Sequence, residues 1–185
     1  MKRIVLIALL LCAFVVFLTG CASQSASGQS DVLETESAKI ANPIKEYDSL
    51  AAAEKAAGFP FTVPEGVEVD DTEYAQYYWS TIDKSLIEVR YGEDGDEVCY
   101  MRKAAKSADM EDISGDYNVY DDVKKVDIEL EDGRESTVTL KGKDGEYYLA
   151  VWDLKGTEDN GVWSYAIGTK GMWEEELLNL VKMVE

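Results

Sequence analysis

The sequence predicts an α+β fold over residues 43–185: an antiparallel β-meander of about six or seven strands, preceded by a short helix and closed by an amphipathic helix. Three observations lead there. Turn dipeptides recur at Asp94-Gly95, Asp132-Gly133, Asp144-Gly145 and Asn160-Gly161, the chemistry of tight hairpins. The runs between them are rich in Val, Ile, Tyr and Trp, which fit a pleated surface. The two ends of this region instead carry apolar residues at helical spacing.

The chain begins with Met1-Lys2-Arg3, continues through fifteen apolar residues (4–18) and ends that run at Thr19-Gly20, the layout of an export signal over residues 1–20. A bilayer core of about 30 Å needs roughly 20 residues of helix, so the run reads as cleavable rather than spanning. Leu18-Thr19-Gly20-Cys21 resembles the lipobox of bacterial lipoproteins. That resemblance implies that Cys21 becomes the first mature residue and carries a diacylglyceryl thioether. Two acyl chains, at about 0.8 kcal/mol per buried methylene, hold a protein durably where one does not. The expected address is therefore extracytoplasmic, lipid-anchored to the cell membrane.

Residues 21–42, rich in Ser, Ala, Gly and Gln, read as a flexible tether. A single domain then fills residues 43–185. Its first element is "YDSLAAAEKAAGF", a short Ala-rich helix that Asp48 or Ser49 can cap, with Leu50, Ala53 and Ala57 on one face and Gly58 just past its end. Pro60 and Pro64 forbid helix in "FPFTVPEG" and predict an extended segment lying against something.

Strands are expected near 73–81, 86–92, 97–104, 123–131, 136–142, 146–153 and 162–168. Val126, Ile128 and Leu130 alternate with Lys125, Asp127 and Glu129, and Val138 and Leu140 alternate with Thr137, Thr139 and Lys141; these strands bury one face. "YYLAVW" and "VWSYAI" carry no charge, which suits central strands covered on both sides or partly by a ligand. In "MWEEELLNLVKMVE", Trp173, Leu177, Leu180, Val181 and Val184 form a stripe that should pack on the sheet, and the early acids and late Lys182 suit the helix dipole.

Charge and composition exclude whole classes of function. The chain has 18 Lys and Arg against 37 Asp and Glu; without Lys2 and Arg3 the cations fall to 16, a net charge of −21. Phosphate backbones repel such a domain, so no nucleic-acid partner is expected. Cationic peptides, divalent ions, neutral ligands or an unidentified envelope protein remain as partners. The absence of His removes Ser-His-Asp and Cys-His catalysis and the usual zinc sites. No Ser-x-x-Lys, G-x-S-x-G or G-x-x-x-x-G-K pattern occurs, and no cofactor is expected. With Cys12 in the signal and Cys21 consumed, Cys99 has no disulfide partner and reads as a small buried hydrophobe.

Two constellations invite a ligand. The loop 109–122 concentrates Asp109, Glu111, Asp112, Asp116, Asp121 and Asp122, oxygen chemistry suited to Ca²⁺, but its spacing does not match the twelve-residue calcium loop. It reads as a solvated connection whose Asp and Asn residues cap turns. Strand aromatics, with Trp79, Trp152, Trp163 and Tyr165 foremost, form either a second layer of core or a platform for sugars or apolar ligands.

Three blocks, "NPIKEYDSLAAAEKAAGFPFTVPEG", "YMRKAAKSADMEDISGDYNVY" and the run from Val138 to Val184, together resemble uncharacterised lipoproteins of Gram-positive bacteria. The last is similar to a domain-of-unknown-function family at the C-terminal ends of exported or membrane-linked proteins, in which a Trp- and Tyr-bearing hairpin leads into a final amphipathic helix. The resemblance implies an address and a fold and carries over no functional residue. The expected role is a non-enzymatic, membrane-tethered binding or accessory module of the cell envelope. The alternatives are an envelope hydrolase using paired carboxylates and a carrier of lipid or other apolar ligands.

Overall fold

A computed structural model describes residues 42–106, 112–130, 132–156 and 161–185. The signal, Cys21 and the tether up to residue 41 lie outside the described residues, as do Asp109 and Glu111 of the acidic loop, Glu131 at the end of the expected strand 123–131, and Asn160 of the last turn dipeptide. The order is β1 (Ile44–Tyr47), α1 (Leu50–Ala57), β2 (Gly66–Val69), β3 (Thr72–Ile82), β4 (Leu86–Glu93), β5 (Asp96–Ala105), β6 (Asp122–Glu129), β7 (Glu135–Lys143), β8 (Glu146–Lys155), β9 (Val162–Met172) and α2 (Glu174–Lys182). The α+β class holds, each expected strand is present, and two four-residue strands, β1 and β2, join β3. Among the described residues no helix is long and apolar enough to cross a membrane.

All strand pairs are antiparallel, in the order β1-β3-β4-β5-β9-β8-β7-β6, with β2 paired to β3 off this path. The sheet is thus two meanders, β3-β4-β5 and β6-β7-β8-β9, joined where β5 meets β9. A simple succession would have set β6 beside β5. Instead β9 lies beside β5, and β6 becomes an edge strand at the far side of the sheet.

The turns follow their residues. Gly95, Gly133 and Gly145 adopt positive φ, the left-handed region where a Cβ is costly. Two further turns use no glycine: Asp70-Asp71 between β2 and β3, and Asp83-Lys84 between β3 and β4, all four at φ between 50° and 59°. Asp tolerates this region better than most residues, which is why a Gly-based reading passes over both turns.

One face of the sheet carries the main core. Ile87, Val89 and Tyr91 of β4, Met101 of β5, Leu140 of β7, Trp152 and Leu154 of β8, and Ile167 of β9 pack there with Ala53 of α1 and with Leu177, Leu180 and Val181 of α2. Ser49 caps α1, its Oγ accepting from Ala52 N at 3.3 Å, and Gly58 ends it in the left-handed conformation. The Pro60–Pro64 stretch does lie against the sheet: Phe61 is buried, and the Pro64 carbonyl accepts from Gln76 Nε2 (2.7 Å) and Tyr91 Oη (2.8 Å). Trp173 departs from the expected stripe. It is the residue before α2, lies 61 % exposed, and donates its backbone N–H to Glu176 Oε2 at 3.0 Å, so it starts the helix rather than packing beneath it.

Residues 112–120 cross the opposite face as a strap. Ile113 and Ser114 are buried against Leu86, Ala104 and Ala166 or beside them. Tyr100 Oη donates to the Ser114 carbonyl at 2.9 Å, and Arg102 Nη1 to the Ile113 carbonyl at 3.1 Å. Gly168 is required beneath: a Cβ there would collide with the Tyr100 ring.

Candidate functional site

Adjacent residues on a strand point to opposite faces, and on β5 this separates two cations with different fates. Arg102 opposes Glu88 on β4, under the strap, whereas Lys103 opposes Ile87 on β4 and Tyr165 on β9, on the helix face. Glu88 is only 2 % exposed and is fully engaged. It accepts from Arg90 Nε at 2.6 Å and from Arg102 Nε at 2.6 Å, with Arg102 Nη2 also paired to it. This is a closed ion network.

Lys103 is 6 % exposed, and its Nζ donates to the Pro60 carbonyl at 2.7 Å. The ammonium also lies 5.0 Å from the centre of the Trp163 ring and 5.5 Å from that of Tyr165, within cation–π range. No carboxylate among the described residues is ion-paired to it. Burial therefore dominates and pulls the Lys103 amine down to about 8, although Glu185 and Glu54 push the other way and Arg134 adds to the fall.

Lys103 lines a half-open cleft of about 440 Å³, walled by Phe59, Pro60, Trp163, Tyr165, Arg134 and Glu185. Phe59 and Trp163 tilt against each other with centres 4.8 Å apart, and Tyr165 stacks on Trp152 at 5.1 Å and 9°. Trp152 Nε1 is buried without a hydrogen-bond partner. Reciprocal backbone bonds between Thr62 and Glu185 (2.6 and 3.0 Å) close one side. Arg134, from the β6–β7 turn, is already occupied: it donates to Asp132 Oδ2 (2.5 Å), Glu185 Oε1 (2.7 Å) and the Lys155 carbonyl (3.2 Å). Burial also pushes the Tyr165 hydroxyl up, so it stays protonated.

Of the four aromatics expected to form a platform, Trp163 and Tyr165 line this cleft and Trp152 backs it. Trp79 does not join them. On β3 it packs into the core with Tyr47 and hands its Nε1–H to Gln76 Oε1 at 2.8 Å. Sequence reading passed over Lys103, whose "MRKAA" setting looks like any strand lysine. The one available sign was its register beside uncharged "VWSYAI".

A larger groove of about 810 Å³ between the β2–β3 hairpin and α2 carries Glu68, Asp70, Asp71, Glu73, Glu146 and Glu176. All six acids are solvent-exposed. In the acidic loop, Asp112 accepts from Ser114 N (2.8 Å), and Asp116 accepts from Asn118 N (2.7 Å) and Tyr120 Oη. Burial opposes ionisation of Asp116, but those two bonds prevail and hold it below the usual range, while Tyr120 is pushed up to about 12 by burial and by Asp116. These are turn-capping roles, and among the described residues no three potential metal ligands converge. Cys99 is buried, and burial raises its thiol far above the reactive range.

No family model matches the chain, and neither a curated protein nor a solved structure is significantly similar to it.

Proposed function

We propose that the protein is an extracytoplasmic lipoprotein, anchored to the membrane through Cys21, whose domain is a non-enzymatic module that binds a small ligand in the Lys103 cleft. The anchor reading rests on Leu18-Thr19-Gly20-Cys21 directly after the apolar run, and on the tether that follows. The binding reading rests on one observation: a nine-tenths-buried lysine between two aromatic faces in a cavity open to solvent. Among the residues lining that cavity Glu185 is the sole acid, so the paired carboxylates of a glycosidase-like site are missing there. A lipid carrier would need an apolar hollow, whereas among the described residues the apolar side chains between sheet and helices pack into one buried cluster.

Two measurements test this. Metabolic labelling with fatty acid should mark the wild-type protein and leave Cys21→Ala unlabelled; continued labelling of that variant would defeat the anchor. Tryptophan fluorescence, titrated with muropeptides, oligosaccharides and lipids, should move with one class, and Trp163→Ala should abolish the change. A silent panel would defeat the binding reading.

A further inference from the structure

We infer that the Lys103 cleft selects a ligand with a single negative charge, a carboxylate on a flat apolar body; this rests on the binding reading above and specifies its ligand.

Lys103 is a buried cation in a chain with 37 acidic residues, yet no described carboxylate is ion-paired to it. A buried charge without a counter-ion is costly, and Glu88 on the other face is fully paired. The missing partner has a place to sit, because Lys103 borders the cavity rather than the filled core. Its ammonium has three donors, of which Pro60 takes one. An anionic oxygen in the cleft would take a second, turning a neutral contact into a charge-assisted one. The amine's position near neutrality fits the same picture, since a bound anion would favour its charged form.

The charge count limits the ligand to one negative charge. Arg134, the other cation of the cleft, is satisfied by Asp132 and Glu185. Glu185 and Glu54 both bear on Lys103 electrostatically, so a second negative charge would meet two carboxylates and no free cation among the described lining residues. The body of the ligand is set by the walls. Trp163, Phe59 and Tyr165 present ring surface, which rewards a flat apolar group.

The test compares phenylacetate, its neutral amide phenylacetamide, and phenyl phosphate by calorimetry on the full chain in lipid nanodiscs, with empty nanodiscs as blank. Phenylacetate should bind at least about ten-fold tighter than the amide, the span of one charge-assisted hydrogen bond. It should also bind tighter than phenyl phosphate. Lys103→Met should remove the acid-over-amide preference, while the exposed Lys124→Met should retain it. Equal binding of acid and amide would overturn the inference and leave the binding reading standing. Tighter binding of phenyl phosphate would overturn the single-charge assignment. If none of the three probes binds, the inference falls on its own, because the fluorescence panel decides separately whether the cleft binds anything. The acid-to-amide ratio is read on the wild-type chain and stands whether or not Lys103→Met folds.

Discussion

Arg102 and Lys103 are consecutive residues of one strand, yet they enter two different worlds. Under the strap, Arg102 and Arg90 converge on Glu88, whose two carboxylate oxygens each have a guanidinium at hydrogen-bond distance. Under the helices, Lys103 has a carbonyl and two rings. The strap side is finished by its own side chains. The helix side stops short of that at one point, and the shortfall faces a cavity. A closed network serves the fold, whereas an incomplete one bordering open space is where the proposed ligand would complete it.

The largest way to break this comparison is to remove Glu88. Glu88→Gln would leave Arg90 and Arg102 partly buried without their shared counter-charge, and should cost about 3–5 kcal/mol of stability. Urea unfolding followed by tryptophan emission measures it. A loss under about 1 kcal/mol would place the strap-side network among ordinary surface pairs. Lys103→Met should do the opposite. It keeps the apolar stem and deletes an unpaired buried charge, so stability should hold or rise by about 1 kcal/mol. A large loss would mean that Lys103 is a structural cation like Arg102.

The Lys103 side also answers pH in its own way. The Lys103 amine falls from an ordinary 10.5 to about 8 in the folded chain, so between these values the unfolded chain holds more protons at this site. Stability from this group therefore rises with pH through that window, and the cost of the buried ammonium is fully present below about 8. Glu185, Glu54 and Arg134 are the charged groups acting on it, with Tyr165 opposite. Tyr91, Tyr100, Tyr165 and Cys99, all raised by burial, act in the reverse sense at high pH. The quantity to measure is thus the wild type minus Lys103→Met difference in urea midpoint from pH 7 to 10. It should narrow as pH rises; a flat difference would show that Lys103 keeps its ordinary titration.

Much of this architecture was legible in the chain because it depends on local chemistry. Turn dipeptides placed the hairpins, alternation placed the one-sided strands, and Ser49 and Gly58 marked the ends of α1. Non-local features were harder to read. The β5–β9 junction goes with a strap, residues 112–120, that crosses a face, and no residue pattern in that acidic stretch announces it. Trp173 kept helical phase with Leu177 and Leu180 but lies one position outside the helix, where phase no longer sets burial. At the candidate site the aromatics were visible and the cation was not. Aromatic rings are conspicuous by type, whereas a lysine becomes unusual only when a proline carbonyl and two rings close around it.

The smallest expected effect tests whether the strap is held by its polar pins or by its buried residues. Tyr120 Oη donates to Asp116, and its ring stacks on Tyr148 with centres 6.1 Å apart and an angle of 26°. Tyr120→Phe keeps the ring and removes the bond, a change worth about 0.5–1.5 kcal/mol locally. Because Ile113 and Ser114 stay buried and Arg102 still reaches the Ile113 carbonyl, global stability should move at the low end of that range. Amide hydrogen exchange at Asn118, whose N–H also leans on Asp116, should quicken, while exchange across the β4–β5 pair stays unchanged. If exchange in β5 quickened as well, the strap and the Glu88 network would be one cooperative unit, and the strap side would owe its closure to residues well beyond its ion pairs.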